Sequence, residues 1–344
     1  MLRRVFGHPF IRKVALLSGG IGAAYTLQFL AYPIISRRYT PEDMGLYGVF
    51  LSVVSVMALF APLRLEVAIL GADNRRESWL LTISSWLSTL VVTPFAALGV
   101  WGMGQVGFLG LESLSTAALG LAVPAVAFGA WFESCRYSTL AQDSFRRLSA
   151  AMVVQSAARV TVQIGLGYSG FGGIGLLIGE VAAKVCAAAW LLPPLLRGLR
   201  VDGVRWSLAD LWGNTIKYRR FPLLMLPSSL LDVLALSLTV PLVAARFGVD
   251  AAGSLSFVQR LVAAPLAVVS ASVADTFHAE ASNLRMNEPT RLGPMFRAVS
   301  IRLFLLGLLP ASVLALVGPE LFQFVFGDKW VVAGHLSVYL APLL

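Results

Sequence analysis

Two long apolar runs joined by a short polar loop set the terms for this chain. Val14 to Ile35 and Leu46 to Leu70 flank the segment PIISRRYTPEDMG, Pro33 to Gly45. Each run exceeds the ~20 residues that a helix needs to cross a bilayer core. The pattern predicts a membrane hairpin. It returns 208 residues later, without a gap, as PLVAARFGVDAAG, Pro241 to Gly253. Pro33 aligns with Pro241, Arg38 with Arg246 and Gly45 with Gly253, while Tyr39 meets Phe247 and Glu42 meets Asp250. Both copies sit at the same place in a hairpin, which reads as an internal duplication in a membrane protein.

Composition agrees. The chain is 57% hydrophobic and 13% charged, with a mean hydropathy of +0.77, whereas a soluble domain carries about 25% charged residues. Spans are expected near 14–36, 46–70, 78–102, 114–134, 149–168, 172–196, 221–246, 253–277 and 296–318, with a last run from about 335. The net charge of +9 is spread over alternate loops, so it signals topology and not nucleic acid. Eighteen Lys and Arg fall in the N-terminus and in the loops at 71–77, 135–148, 197–220 and 278–297; four (Arg37, Arg38, Arg246 and Lys329) fall on the other side. That bias places the N-terminus in the cytoplasm. Arg3, Arg4, Arg12 and Lys13 before the first run suggest a signal peptide, but the run is too long and lacks a small-residue cleavage site, so it reads as an uncleaved span.

Six spans separate the two copies of the repeat, which gives them the same orientation. The expected fold is therefore an all-α polytopic membrane protein of two parallel six-helix lobes related by an axis along the membrane normal. Residues 1–196 form the first lobe with helices 1–6. Residues 197–220 form a basic cytoplasmic linker, in which SLADLWGNTIKY has the mixed pattern of an amphipathic helix on an anionic leaflet. Residues 221–344 form an incomplete second lobe. Only His335 to Leu344 follow the ninth span and its outer loop, about 15 Å of helix, so about nine to ten of twelve helices are expected here.

Ionisable residues inside spans cost at least ~2.5–3.5 kcal/mol near the bilayer centre and mark interiors or pathways. Asp275 and Arg302 lie near the cytoplasmic ends and reach headgroups. Arg64, with Glu66 beside it, either snorkels or faces an inward cavity. The deep set is Arg159, Glu180, Lys184, Asp232 and Arg260. Glu180 and Lys184 are four apart on one helix face, so they form either a neutralised internal pair or a coupling site. Gln155 and Arg159 share a face by the same spacing. A deep Arg beside a water-filled cavity suits an anionic headgroup such as a diphosphate, because guanidinium binds oxygen pairs bidentately. The substrate-binding candidates are Arg64, Arg159, Asp232 and Arg260. Pro62, Pro94, Pro124, Pro222, Pro227, Pro265 and Pro310 punctuate the spans, as kinks that neighbouring helices tolerate or as gates.

No catalytic constellation is present: no Walker A motif, Rossmann fingerprint, nucleophile elbow or metal motif. Cys135 and Cys186 read as small membrane-helix residues, and His8, His278 and His335 have no partner at ligand spacing. No cofactor is expected.

The run QFLAYPIISRRYTPEDMGLYGVFLSVVSVMALFAPLRLEVAIL resembles the opening of polysaccharide-biosynthesis proteins of the oligosaccharide flippase kind. There a YTPEDFG-like loop follows an apolar helix, and the next helix ends in an LGLE pattern; here Arg64 replaces the usual Gly. Phe221-Pro222, Pro227-Ser228, Phe247 to Gly253, and Arg260 with Pro265 resemble that family's seventh and eighth helices, with Asp232 where an amide is usual. FGDKW near Phe326 is similar to its outer loop before the tenth helix. The resemblance implies the multidrug, oligosaccharidyl-lipid and polysaccharide transporter superfamily. Its members have twelve helices in two lobes around a central cavity, and they move lipid-linked saccharides outward by alternating access.

The leading reading is a non-enzymatic flippase in the bacterial inner membrane. It would move a polyprenyl-diphosphate-linked oligosaccharide for O-antigen, capsule or exopolysaccharide assembly, among membrane lipids and alongside polymerase or glycosyltransferase partners. A cation-coupled drug antiporter of the same architecture is the alternative, and predicts an acidic cavity. A non-transporting membrane scaffold is the third reading.

Overall fold

A computed structural model of the chain describes residues 9–105, 114–262 and 292–343. The described residues are helical apart from turns and short breaks, with no strand among them. Helix α1 is Pro9–Arg38. Helix α2, Pro41–Phe60, starts on a capping box: Asp43 donates its amide to Thr40 Oγ1, and the Asp43 carboxylate accepts from the Thr40 amide. Pro41 at the first helical position loses no bond there. The expected second span, 46–70, is not one helix. Pro62 has no N–H and disfavours continued helix, Leu63 and Arg64 are left-handed with φ of 54° and 58°, and helix resumes only as the short α3, Leu65–Ala68, with a 3₁₀ turn to Gly71. Arg64 and Glu66 thus sit on a break and not within a continuous span.

Helix α4 is Arg75–Gln105, α5 Thr116–Ala141, α6 Phe145–Tyr168 and α7 Gly173–Val201. Lipid is as apolar as a leucine, so helices in a bilayer associate through close backbone approach and polar contacts. This chain uses both. Hydroxyl pairs Thr82–Ser138 and Ser85–Ser134, each 2.5 Å apart, join α4 to α5. Ser156 donates to the Ala24 carbonyl at 2.7 Å and joins α6 to α1. Gly179 admits Gln163 against the α7 backbone, where a Cβ would collide with the Gln163 side chain.

The linker carries α8, Leu208–Lys217, opened by a second capping box from Ser207 and Asp210. A π-turn at Phe221–Met225 leads into α9, Leu226–Ser237, and α10, Thr239–Phe247. The expected span 221–246 is therefore broken, and α8 meets it at a bend of 52°. Gly248, at φ 89°, separates α10 from α11, which occupies 249–262. The far end of the expected eighth span and most of the basic loop at 278–297 lie outside the described residues. Helix α12, Leu292–Phe326, starts before the expected ninth span and kinks at Val317; α13 is Val331–Leu340.

Pro41–Phe60, Arg75–Gly102, Thr116–Ala141, Gly173–Val201 and Gly293–Phe326 are long and apolar enough to cross a membrane, and the bent pair α8 with 221–237 makes a sixth if it is one span. Helices α1 and α6, at 30 and 24 residues, have the length; α6 trades hydropathy for Gln155, Arg159 and Gln163. The protein is an all-α polytopic membrane protein.

The two copies of the repeated loop pack against each other. A Cβ on Gly45 would strike the Val249 carbonyl, and one on Gly253 would strike the Pro41 carbonyl and come within 2.8 Å of the Gly45 amide. Ser256 donates to the Met44 carbonyl at 3.2 Å across the same seam. Beside it, Lys329 donates to the Tyr39 carbonyl at 2.6 Å, and the fully buried Trp330 donates to the Ser36 carbonyl at 2.9 Å. Phe257 stacks on Trp330 with ring centroids 4.1 Å apart. The two loops and the turn at Lys329 and Trp330 thus form one packed seam.

Candidate functional site

Next to this seam lies a small cleft of mixed lining, in which Ile35, Met44, Val160 and Leu176 accompany the polar residues. Its walls include Gln28 and Tyr32 of α1, Tyr47 of α2, Arg159 and Gln163 of α6, and Arg260 of α11. The helical period places these side chains. Gln28 and Tyr32 are four apart, as are Arg159 and Gln163, so each pair shares a face.

Glu180 of α7 is the hub and is 3% exposed. Arg159 Nη2 donates to its Oε1 at 3.1 Å. Arg159 Nε lies 2.9 Å from Oε2, at an angle that does not make a hydrogen bond. Arg159 Nη1 donates to Gln28 Oε1 at 3.0 Å. The Tyr47 hydroxyl donates to Glu180 Oε2 at 2.9 Å, and Lys184 Nζ sits 3.7 Å from Oε1. The Arg260 guanidinium carbon lies 4.3 Å from the Tyr47 ring centroid. A cation over an aromatic face is worth about 0.5–1 kcal/mol at an exposed site and about 2 kcal/mol when desolvated, and the partly buried Arg260 falls between. Deeper in the wall, the Tyr39 hydroxyl donates to the Gln163 carbonyl at 2.6 Å and the Gln163 amide to the Leu176 carbonyl at 3.1 Å. These bonds hold α6 and α7 in register beneath the repeated loop.

Three cations, Arg159, Lys184 and Arg260, thus gather around one carboxylate. The cluster is net positive, and its acid is already bonded to Arg159 and Tyr47. The cleft has room for about 10 Å³, no more than a water-sized group; if it widened, the two guanidinium groups would offer directed donors to paired oxygens of an anion.

Of the residues singled out from the sequence, Arg159 and Arg260 line the cleft and Glu180 and Lys184 stand behind it. Arg64 does not reach it. Its guanidinium is 3.5 Å from Glu66 at the α2–α3 break, near a cluster of Leu65, Ile69, Leu81 and Tyr218. Asp232 is exposed on α9, a helix with no buried residue, and does not line the cleft. Tyr47, Gln28, Tyr32 and Gln163 were not singled out. Gln163 follows Arg159 by four and Gln155 by eight, so the face already noted on that helix extends to it. Nothing local marks Tyr47. No group of three or more potential metal ligands occurs among the described residues.

Residues 34–334 match the family of polysaccharide biosynthesis proteins. The chain belongs to this family. No curated protein matches it. Among solved structures, it is similar to a multidrug resistance MATE family transporter of the MOP superfamily in an inward-facing conformation, with 18% identity and a TM-score of 0.66, over 96% of this chain and 80% of that one. A MATE structure in the straight conformation gives 18% identity and a TM-score of 0.46, over 96% and 79%. The family member described here shares the fold of the first. Family and fold support a membrane transporter or flippase.

Proposed function

We propose that this chain is a flippase for a lipid-linked oligosaccharide, carrying its polyprenyl diphosphate headgroup across the bacterial inner membrane for surface polysaccharide assembly. The observation that supports this most is the excess of partly exposed cations, Arg159, Lys184 and Arg260, around the buried Glu180. Arg159 and Arg260 would contact the diphosphate oxygens. Glu180 and Lys184 would hold Arg159 in place and set the local charge, while the polyprenyl tail stays in lipid. Residues 1–196 and 221–344 would act as two lobes joined by 197–220, rocking about the cleft by alternating access, and the seam at Gly45 and Gly253 would close the outer side. The N-terminus is cytoplasmic by the distribution of Lys and Arg.

A drug antiporter of the same superfamily is the second reading, favoured by the MATE fold neighbour. It calls for an acid that can exchange between proton and cation. Glu180 is held by Arg159 and Tyr47, which disfavours that role.

The test is complementation of a bacterial strain lacking its own flippase, at matched membrane levels, with the chain and with Arg159→Ala and Arg260→Ala. Rescue by the chain and loss in both variants supports the reading. Undiminished rescue by both variants contradicts it.

A further inference from the structure

Helix α8 presents three distinct faces. Leu211 and Asn214 are buried against α4, with the Asn214 amide donating to the Glu77 carbonyl at 3.3 Å and Leu211 packed on Leu80 and Ile83. Lys217 pins the last turn through Asp73 and Glu77, both at 2.7 Å. A second face carries Asp210, Gly213 and Lys217. The third is apolar and exposed: Leu208 at 76%, Trp212 at 69% and Ile216 at 44%, spaced by four along one stripe. Trp206, just before the helix, and Val201, at the end of α7, are also exposed.

The charge around the stripe is one-sided. The nearby acids are taken: Asp202 by Arg75, Asp210 by Arg76, and Asp73 and Glu77 by Lys217. Arg197, Arg200, Arg205, Arg219 and Arg220 are exposed and make no ion pair among the described residues. The helix joins the span that follows through a 52° bend. An apolar stripe with Trp, flanked by arginines and continuous with a membrane span, matches an interfacial helix at the headgroup boundary.

We propose that the α8 stripe with Arg197, Arg200, Arg205, Arg219 and Arg220 is a docking surface for anionic phospholipid of the inner leaflet. Trp212, Leu208 and Ile216 enter the acyl boundary, and the arginines gather anionic headgroups around the bend that starts the second half of the chain. The surface is separate from the Arg159–Glu180 cleft and stands whether or not that cleft takes a diphosphate.

The test uses the full chain, with Cys135→Ala and Cys186→Ala, in vesicles of phosphatidylcholine with or without phosphatidylglycerol. Spin labels are placed through Trp212→Cys and, separately, Gly213→Cys, where an added Cβ meets nothing within 4 Å. Collision with oxygen and with a water-soluble nickel complex reports depth. The expected result is a label at 212 in the acyl boundary and a label at 213 in water. Spin-labelled phosphatidylglycerol is expected to be enriched over phosphatidylcholine at the protein. Changing Arg197, Arg200 and Arg205 to Gln should cut that enrichment at least about fivefold. A label at 212 in water overturns the proposal, as does enrichment unchanged by the arginine substitutions. Shielding of 212 that disappears when protein is diluted at fixed lipid composition means a protein partner covers the stripe, and also overturns it.

Discussion

Arg260 lies over the ring of Tyr47, with its guanidinium carbon 4.3 Å from the centroid, while the hydroxyl of the same tyrosine donates to Glu180 at 2.9 Å. One side chain thus joins a cation on α11 to a carboxylate on α7. Ring and hydroxyl are separable. Tyr47→Phe keeps the stack and loses a hydrogen bond to a charged acceptor, about 1.5–3 kcal/mol. Tyr47→Leu loses the cation–π contact as well, a further ~1–2 kcal/mol. Thermal unfolding of the purified chain in detergent is expected to rank wild type above Tyr47→Phe above Tyr47→Leu. Equal melting temperatures for the two variants would show that Arg260 draws nothing from the ring.

Arg159→Met strips Glu180 of its nearest cation and leaves a buried carboxylate with Lys184 at 3.7 Å. Breaking one side of a buried pair costs about 3–5 kcal/mol. The lower end is expected here, because the Arg159 side chain is 20% exposed. Adding Glu180→Leu should restore most of the lost stability without restoring function. A double variant that remains as unstable as Arg159→Met would mean that the pair is not what the substitution breaks.

The glycine seam makes a conformational prediction. Gly253→Ala puts a methyl group into the Pro41 carbonyl, and the backbone on both sides is packed too tightly to yield. The two repeated loops are expected to separate. Spin labels at Glu42→Cys and Asp250→Cys, both exposed, report the distance. A longer and broader distribution in Gly253→Ala is the expected outcome. An unchanged distribution would show that the seam does not depend on this contact.

Sequence foretold the helices better than their breaks. Long apolar runs mark lipid-crossing helix, yet the run from Leu46 to Leu70 stays apolar across the turn at Pro62, so hydropathy could not register it. Pro62 was visible, but a membrane proline is as often a kink as a stop. The cleft was half legible. Arg159, Glu180, Lys184 and Arg260 stand out because a charge in lipid is costly wherever it lies. Tyr47, Gln28 and Gln163 do not, because neutral polar side chains cost too little to signal their purpose. Spacing by four paired Glu180 with Lys184, while the fold brings Arg159 closer, at 2.9 Å against 3.7 Å. That choice belongs to helix packing, which the local sequence does not contain.

Helix α8 carries a pH dependence. Hydrogen bonds from Ser207, with the Arg76 guanidinium nearby, hold the Asp210 carboxyl below its usual range. A depressed carboxylate stabilises its cap at pH above its unfolded value, about 3.9, and that contribution is lost as pH falls through the lower folded value. Amide exchange across 207–218, corrected for intrinsic rates, is expected to accelerate as pH falls below about 4. It should already be fast at neutral pH in Ser207→Ala, since loss of such a cap costs about 1 kcal/mol. Protection in Ser207→Ala equal to wild type would remove the capping box from the account of this helix.

The most direct test of the central claim is a binding titration of the purified chain with a short-chain prenyl diphosphate saccharide and, in parallel, with a quaternary ammonium cation. The account predicts saturable binding of the diphosphate, weakened at least tenfold by Arg159→Gln or Arg260→Gln, about 1.4 kcal/mol or more each, with the cation binding weakly. Tight binding of the cation, with a diphosphate affinity indifferent to both arginines, would contradict it.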